Sequence, residues 1–447
     1  MTNGEGHTIY FLGIGGIGMS ALARYFKSKN YTIAGYDRTS SRLTTQLEKE
    51  GMAIHYEDNP DLLPESIDMV IYTPAVPQTL KEVEALRQRE IPFKKRAEVL
   101  GEISKDHFTI AVAGTHGKTT TTAMIAHILN ESNIDTTAFI GGIANNFESN
   151  LLLGKKDDSV FVVEADEFDH SFLQLHPDIS IIGSIDADHL DIYGDKEHLL
   201  ESFNDFAKHT KRNVIVREGL EIEAWNGVTY GFGKGCYYQI SIGSVGNGYT
   251  LFYINGEGLK NYRIILPMAG AHNVLNATAA FIAARRIGIP RESIAKALHG
   301  FLGVKRRFDI RVDNERHCYI DDYAHHPTEI RSCLQAIRDF YPGRRLTLVF
   351  QPHLYSRTRD FMNEFAEVLA LADELILLGI YAAREEPLPG VSSEYLLDMV
   401  QLDDKKLVSK SKLVNLINKE RPELLVTMGA GDIDRVVTPL EKTIKSW

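Results

Sequence analysis

Short apolar runs, rich in β-branched side chains, recur along this chain, and most lead into a Gly-rich or polar turn and then a helical pattern. Thr8-Ile9-Tyr10-Phe11-Leu12, Tyr31 to Tyr36 and Met69-Val70-Ile71-Tyr72 open the chain. Phe108-Thr109-Ile110-Ala111-Val112, Val160-Phe161-Val162-Val163 and Ile179-Ser180-Ile181-Ile182 occupy its middle. Cys318-Tyr319-Ile320, Leu346 to Phe350, Leu375 to Leu378 and Leu424 to Thr427 close it. Continuous apolar strands alternating with helices predict parallel sheets covered on both faces. Between Asn213 and Met268 the pattern changes to short alternating strands with Gly and Asn-Gly turns, as in Val228-Thr229-Tyr230 and Tyr249 to Ile254. That stretch predicts antiparallel hairpins inserted in, or packed on, the middle of the chain.

Length and charge narrow the possibilities. At 447 residues one core is not enough, and two to four domains are expected. Apolar and charged fractions of 44% and 24% are ordinary for a soluble globular protein. A net charge of −11 argues against non-specific nucleic-acid binding, so anionic ligands would need local basic pockets. The cysteines Cys236, Cys318 and Cys333 show no CxxC spacing, which suggests a reducing, cytoplasmic setting rather than a disulfide frame or zinc site. The N-terminus lacks a basic stretch before an apolar one, so no signal peptide is expected. No apolar run reaches about 18 residues, so membrane insertion is not expected.

Two glycine-rich turns carry candidate chemistry. The first, Gly13-Ile14-Gly15-Gly16-Ile17-Gly18, follows a strand and precedes a helix from Met19 to Ser28. This is the G-x-G-x-x-G arrangement of a small Rossmann-like domain, and Asp37 ends the next strand, where an acidic residue meets a ribose hydroxyl. The loop recognises a pyrophosphate and cannot by itself separate NAD from another diphosphate. The second turn, Gly114-Thr115-His116-Gly117-Lys118-Thr119-Thr120, also joins strand to helix. Backbone N–H groups and the helix dipole there favour a phosphate; Lys118 can reach the β/γ-phosphates and Thr119 can ligate Mg²⁺. Val112 stands where the usual pattern has its first glycine, so the loop is a shortened variant.

Carboxylates and histidines cluster at the other strand ends. Glu164-Ala165-Asp166-Glu167 ends the strand from Val160, where a Mg²⁺ ligand belongs beside a phosphate loop. The strand from Ile179 leads to Asp186-Ala187-Asp188-His189-Leu190-Asp191, in which His189 is either a metal ligand or a capping residue. In the last third, three strands run into Asp321-Asp322-Tyr323-Ala324-His325-His326-Pro327, Gln351-Pro352-His353 and Gly429-Ala430-Gly431-Asp432. One polar strand end is usually a loop cap; three on one sheet are better explained by a site. The chain is therefore expected to be α/β with three domains: N-terminal Rossmann-like (1–104), central P-loop ATPase-like α/β with an antiparallel β insertion (105–304), and C-terminal Rossmann-like (305–447).

Taken together these motifs resemble the Mur ligases, the ATP-dependent amide-bond-forming enzymes of peptidoglycan synthesis, over nearly the whole chain. Gly114 to Thr119 and Glu164 fit the family generally. The glycine loop with Ala75, Asp188-His189, His272-Asn273 with Asn276, Arg306-Arg307-Phe308, Asp322 to Glu329 and Gln351-Pro352-His353 look like its alanine-adding branch. The resemblance implies that L-alanine is joined to UDP-N-acetylmuramate through an acyl phosphate. A recycling ligase that attaches a tripeptide to the same nucleotide sugar is the alternative, and an NAD-dependent dehydrogenase the more distant one. It also reassigns the first loop: Gly13, Gly15, Gly16, Gly18, Asp37, Thr73, Ala75, Arg96, His116 and Arg307 would bind the UDP-sugar. Gly114, Thr115, Gly117, Lys118, Thr119, Thr120, His272, Asn273, Asn276 and Asp322 would bind ATP, between the second and third domains.

By the same resemblance Lys118, His189 and Arg307 would be catalytic. Thr119, Glu164 and His189 would hold Mg²⁺, and His325, His353, Tyr355 and Arg357 would hold the amino acid. The partners implied are small molecules only, with no nucleic acid, and the protein is expected to be a monomer or weak homodimer. Two positions depart from the family. The region Phe206 to Lys211 presents no clear carbamylated lysine, as in the alanine-adding branch. Leu354 stands where many alanine-adding relatives have an arginine, which shifts the carboxylate clamp toward Arg357.

Overall fold

The computed structural model describes residues 4–447 apart from 187–195, 224–226, 247 and 384. The chain divides into two compact units. The larger comprises Met1–Ser241, Tyr253–Ile264 and Leu275–Phe301; the smaller comprises Ile242–Phe252, Ile265–Val274 and Leu302–Trp447.

The larger unit begins with five parallel strands: β1 (Thr8–Leu12), β2 (Thr32–Tyr36), β3 (Ala53–His55), β4 (Met69–Tyr72) and β5 (Phe93–Lys95), in the order β3-β2-β1-β4-β5. Successive side chains of β1 point to opposite faces. Ile9 and Phe11 join the core under the helix Ile17–Ser28, whereas Tyr10 and Leu12 join the core on the other face. Both faces are buried, which is why the strand reads as one apolar run. The order reverses direction across β1 and β4, and a ligand crevice is expected at the carboxyl ends of such a pair.

A ten-stranded sheet follows. Its strands are β6 (Thr109–Ala113), β7 (Thr136–Ala144), β8 (Ser149–Leu152), β9 (Val160–Ala165), β10 (Ile179–Ile182), β11 (Asn213–Arg217), β12 (Gly227–Gly231), β13 (Tyr238–Gly246), β14 (Tyr249–Gly256) and β15 (Leu259–Leu266). Their order is β15-β14-β13-β12-β11-β10-β6-β9-β7-β8. Here the structure corrects the reading of Asn213 to Met268. β11 and β12 pair parallel to their neighbours and extend the central sheet, and β12 pairs parallel to the start of β13. β13, β14 and β15 lie side by side in chain order at the end of the sheet, which is the neighbour order of the expected meander. Exposed positions in Gly227–Gly231 imitate a hairpin strand because that strand lies toward the periphery of the parallel part.

The first two sheets share a core. Tyr25 on the helix Ile17–Ser28 meets Phe139 at 5.6 Å and Phe161 at 6.2 Å. Beside them Asn150, fully buried on β8, donates to Ile17 O at 2.6 Å and to Ser20 Oγ at 2.9 Å. A buried amide with both donors satisfied fixes register as well as adding stability.

The smaller unit is built on a six-stranded sheet: β16 (Asp309–Asp313), β17 (Cys318–Asp322), β18 (Leu346–Phe350), β19 (Glu374–Leu377), β20 (Lys405–Leu407) and β21 (Leu424–Met428). Their order is β16-β17-β21-β18-β19-β20, with only the edge strand β16 antiparallel. β17, β21 and β18 are adjacent and fully buried, so the three polar loops expected to form a site leave neighbouring strand ends.

Candidate active site

In the larger unit β6 lies between β10 and β9, and the phosphate loop leaves its carboxyl end. Gly114 has φ 136° and Gly117 has φ 81°, conformations that glycine adopts at least cost. Close approach adds to this, because a Cβ on Gly117 would lie 2.5 Å from Asn276 Oδ1. Asn276 is thereby placed on the loop it was expected to serve. Thr119 and Thr120 are buried in the first turn of the helix Lys118–Glu131.

The charged groups around this loop are already engaged. Lys118 Nζ donates to Gly114 O at 2.6 Å and to both carboxylate oxygens of Glu167 at 2.9 and 2.8 Å. The Glu167 side chain is 2% exposed and that of Lys118 15%, so this is a largely desolvated pair. Thr119 Oγ1 donates to Glu164 Oε1 at 2.9 Å, and Gly141 N donates to Glu164 Oε2 at 2.6 Å. Burial pushes the Glu164 carboxyl above its usual range, and Lys118 and Thr119 pull against that shift.

The remainder of the loop is tied to the turn after β10. Thr115 Oγ1 donates to Ser184 Oγ at 3.0 Å, His116 N donates to Ser184 Oγ at 2.8 Å, and His116 Nε2 lies 3.3 Å from Asp186 Oδ2. His189 lies outside the described residues. Neither Ser184 nor Glu167 carries a role on sequence pattern alone. Glu164 sits opposite Val112 in the β6–β9 register, and the chain must turn after Ala165 before Glu167 returns to Lys118. Spacing alone carries no signal for that turn.

The first glycine loop occupies the β1–β4 crevice. Gly13 has φ 83° and its N–H donates to Tyr36 O at 2.8 Å. A Cβ on Gly13 would lie 3.1 Å from Thr73 Cγ2, which brings the predicted Thr73 to the loop; Ala75 is exposed nearby in sequence. Gly15 N donates to Asp37 Oδ2 at 2.8 Å, so a carboxylate already sits on one loop amide. A Cβ on Gly15 would meet that oxygen at 2.7 Å and Thr44 Cγ2 at 2.7 Å, and one on Gly18 would meet Arg96 at 2.3 Å. Gly16 N donates to Gly13 O at 3.1 Å and closes the turn. Arg96 also pairs with Asp166 at 3.0 Å. A cavity of about 130 Å³ runs from Gly18 and Arg96 to Gly141, Glu164 and Asp166 within this unit.

In the smaller unit Asp322, at the end of β17, accepts from Phe308 N at 2.6 Å and from Ala324 N at 2.7 Å. Burial raises its pKa and these amides oppose the rise. One oxygen thus holds the loop that presents Arg306 and Arg307, and the other holds the turn after β17. Those two guanidinium groups each lie 5.1 Å from the Tyr323 ring. Arg306 also pairs with buried Asp321 at 3.3 Å, whereas Arg307 has no carboxylate partner among the described residues.

His325 Nδ1 lies 3.0 Å from Tyr323 O, and its ring centre lies 6.0 Å from that of His353. Burial, with help from His325 and Arg357, pushes the His353 pKa down to about 4, and His353 Nδ1 is buried without a hydrogen-bond partner among the described residues. Tyr355 and Arg357 stand on the short helix Tyr355–Asp360 that follows. Half-buried Arg357 has no carboxylate partner among the described residues. Gln351 fastens the neighbouring loop, with Nε2 donating to Asp432 Oδ1 at 2.9 Å and Oε1 accepting from Ile433 N at 2.8 Å. Asn273 Nδ2 donates to Ala269 O at 2.7 Å, and His272 packs over Gly270.

Three family models together cover most of the chain: Mur ligase family, catalytic domain, at residues 8–108; Mur ligase middle domain at 112–284; and Mur ligase, glutamate ligase domain, at 306–431. The chain is a Mur ligase. A UDP-N-acetylmuramate–L-alanine ligase of Flavobacterium psychrophilum is 49% identical over 98% of each chain. One of Cytophaga hutchinsonii is 47% identical over 97% of this Mur ligase and 96% of that protein. Among solved structures, a UDP-N-acetylmuramate-alanine ligase of Thermotoga maritima matches with TM-score 0.86 at 30% identity, covering 98% of this chain and 99% of that one. A murein peptide ligase of Psychrobacter arcticus shares the fold at TM-score 0.70 and 23% identity, covering 99% of each chain.

Proposed function

We propose that this Mur ligase joins L-alanine to the lactyl carboxylate of UDP-N-acetylmuramate, converting ATP to ADP and phosphate. The observation that carries the reading is the division of charge. Lys118, Thr119 and Glu164 form a phosphate and cation set at one loop, while Arg357, near His325 and His353, has no carboxylate partner among the described residues and suits a small carboxylate. The two relatives at 49% and 47% identity, whose names state this activity, support it. We assign the UDP-sugar to residues 1–104, ATP to 105–304, and the amino acid together with part of the ATP site to 305–447. His272, Asn273, Asn276 and Asp322 serve the nucleotide.

A carboxylate is a poor electrophile because oxide is not a leaving group. Attack of the lactyl carboxylate on the ATP γ-phosphorus releases ADP and gives an acyl phosphate. The free amine of alanine then attacks the acyl carbon. The tetrahedral intermediate expels phosphate, and the nitrogen loses its proton. Phosphoryl transfer needs positioning and charge neutralisation more than covalent help. Lys118 leaves Glu167 for the phosphates, and Arg307 neutralises the acyl phosphate. The Thr119 hydroxyl and the Glu164 carboxylate are hard oxygen donors 2.9 Å apart and fit Mg²⁺, which supplies charge neutralisation at the phosphates when bound. We assign a second Mg²⁺ to His189. The glycine loop at Gly13 to Gly18 takes the diphosphate of the sugar nucleotide, and the apolar cavity leads from it toward Glu164.

The setting we infer is cytoplasmic, with a monomer or weak homodimer as the working form. Three free cysteines and the lack of a helix long and apolar enough to cross a membrane among the described residues are consistent with it. The decisive assay is phosphate release from ATP with UDP-N-acetylmuramate and, in turn, L-alanine, glycine, L-serine or the murein tripeptide. L-Alanine should give the highest kcat/KM. A higher value for the tripeptide would overturn the assignment.

A further inference from the structure

The helix that carries Tyr355 and Arg357 begins badly. Its N-cap residue is Leu354, with φ 69° and no side chain able to accept from the first helical amides. N-caps are normally Ser, Thr, Asp or Asn, whose oxygen accepts from the second or third helical N–H. Here the missing acceptor comes from elsewhere in the sequence. Ser356 N donates to Glu385 Oε2 at 2.9 Å, and Ser356 Oγ donates to Glu385 Oε1.

The segment that delivers Glu385 is stitched to the strand end before it. Tyr381 N donates to Pro352 O at 2.9 Å, and Leu354 N donates to Tyr381 O at 2.9 Å. The Tyr381 ring stacks on His353 at 5.7 Å and 22°. Tyr381 and Glu385 thus both lie against 352–356, Tyr381 at Pro352, His353 and Leu354 and Glu385 at Ser356. Together these two residues strap the first turn of the helix, and the second of them is a carboxylate.

We infer that Glu385 is a positioning residue for the amino-acid site, capping from a distance the helix that aims Arg357 and holding His353 through the Tyr381 strap. The inference rests on the proposed role of Arg357 in binding the alanine carboxylate. Leu354 makes it necessary: a side chain there that cannot cap leaves Ser356 N to be satisfied by another residue. Burial raises the Glu385 carboxyl, but the hydrogen bonds from Ser356 and Tyr355 outweigh this and hold it ionised below its usual range. An ionised acceptor at a helix N-terminus is the favourable sign of charge. Glu385 does not itself bind the substrate, because its charge would repel the alanine carboxylate.

The test compares three full-length variants in steady-state kinetics with all three substrates, each checked for folding by thermal melting. Glu385→Ala should raise KM for L-alanine about 10-fold, with kcat and the KM values for ATP and UDP-N-acetylmuramate within about 3-fold of wild type. Ser356→Ala, which keeps the backbone bond, should raise it about 3-fold. Glu385→Gln, which keeps an acceptor but loses the charge, should restore KM to within about 3-fold of wild type. A Glu385→Gln variant as impaired as Glu385→Ala would overturn the inference, because the charge and not the cap would then matter. An unchanged alanine KM in Glu385→Ala would also overturn it. Arg357→Ala, run alongside, separates the two levels. If its alanine KM is unchanged, the amino-acid site itself is misplaced; if its KM rises while Glu385→Ala is silent, only the strap fails.

Discussion

The charged groups of the two units stand in opposite states. In the larger unit the charged groups at the two glycine loops already have protein partners: Lys118 with Glu167, Glu164 with the Thr119 hydroxyl, Arg96 with Asp166, and Asp37 with the amide of Gly15. In the smaller unit, among the described residues, Arg307 and Arg357 have no carboxylate partner and His353 Nδ1 is buried without a hydrogen-bond partner. The difference follows from what each would bind. A triphosphate brings several charges and can displace an internal partner, and engagement keeps the loop ordered until it arrives. Alanine brings one carboxylate and few contacts, so a cation already committed to a protein carboxylate would leave little affinity.

That contrast can be broken experimentally. The largest effect should come from Lys118→Ala, which removes charge stabilisation that no neighbouring cation replaces; kcat should fall about 100- to 1,000-fold. Near-normal turnover in the folded variant would show that the Glu167 pair is structural. Next, Arg357→Ala should lower kcat/KM for L-alanine about 30- to 100-fold, near the low end for an unpaired carboxylate because the site is only half-buried. A change below threefold would place the carboxylate elsewhere.

Gly15→Val should raise KM for UDP-N-acetylmuramate about 10-fold by driving a side chain into Asp37 and Thr44, while leaving ATP binding alone. If ATP binding weakens instead, the two glycine loops have exchanged roles. Glu164→Gln should move the midpoint of the Mg²⁺ titration upward several-fold, since a neutral amide is a weaker ligand for a hard cation. The smallest effect is on stability. His353 takes a proton near pH 4 in the folded protein and near the ordinary histidine value when unfolded. The unfolded state therefore binds more protons between those values, and stability falls as pH drops below about 6.5. His353→Gln should show a drop in Tm between pH 7.5 and 5 that is a few degrees smaller than in wild type.

Much of this was legible from residue patterns. The strand Thr8–Leu12 and the phosphate loop between Thr109–Ala113 and Lys118 were marked by continuous apolar runs ending in Gly-rich turns, where local sequence and tertiary burial agree. Strands β11 and β12 were misread because alternation records exposure, and a peripheral parallel strand is exposed in the same period as a hairpin strand. The partnership of Lys118 with Glu167 was hidden for another reason. Three carboxylates lie within four residues, and which one faces the lysine depends on a turn that the sequence does not mark. Glu385 was out of reach, since its contact with Ser356 spans 29 positions and follows from a defect at Leu354 visible only in backbone angles.

The most direct test of the division between the units is to trap the acyl phosphate. With ATP, UDP-N-acetylmuramate and hydroxylamine but no alanine, the first half of the reaction gives an acyl hydroxamate. Wild type and Arg357→Ala should form it at rates within about threefold of each other, although Arg357→Ala ligates alanine poorly. Lys118→Ala should form almost none. Loss of hydroxamate in Arg357→Ala equal to its loss of alanine ligation would contradict the account, because phosphoryl transfer would then depend on the group assigned to the amino acid alone.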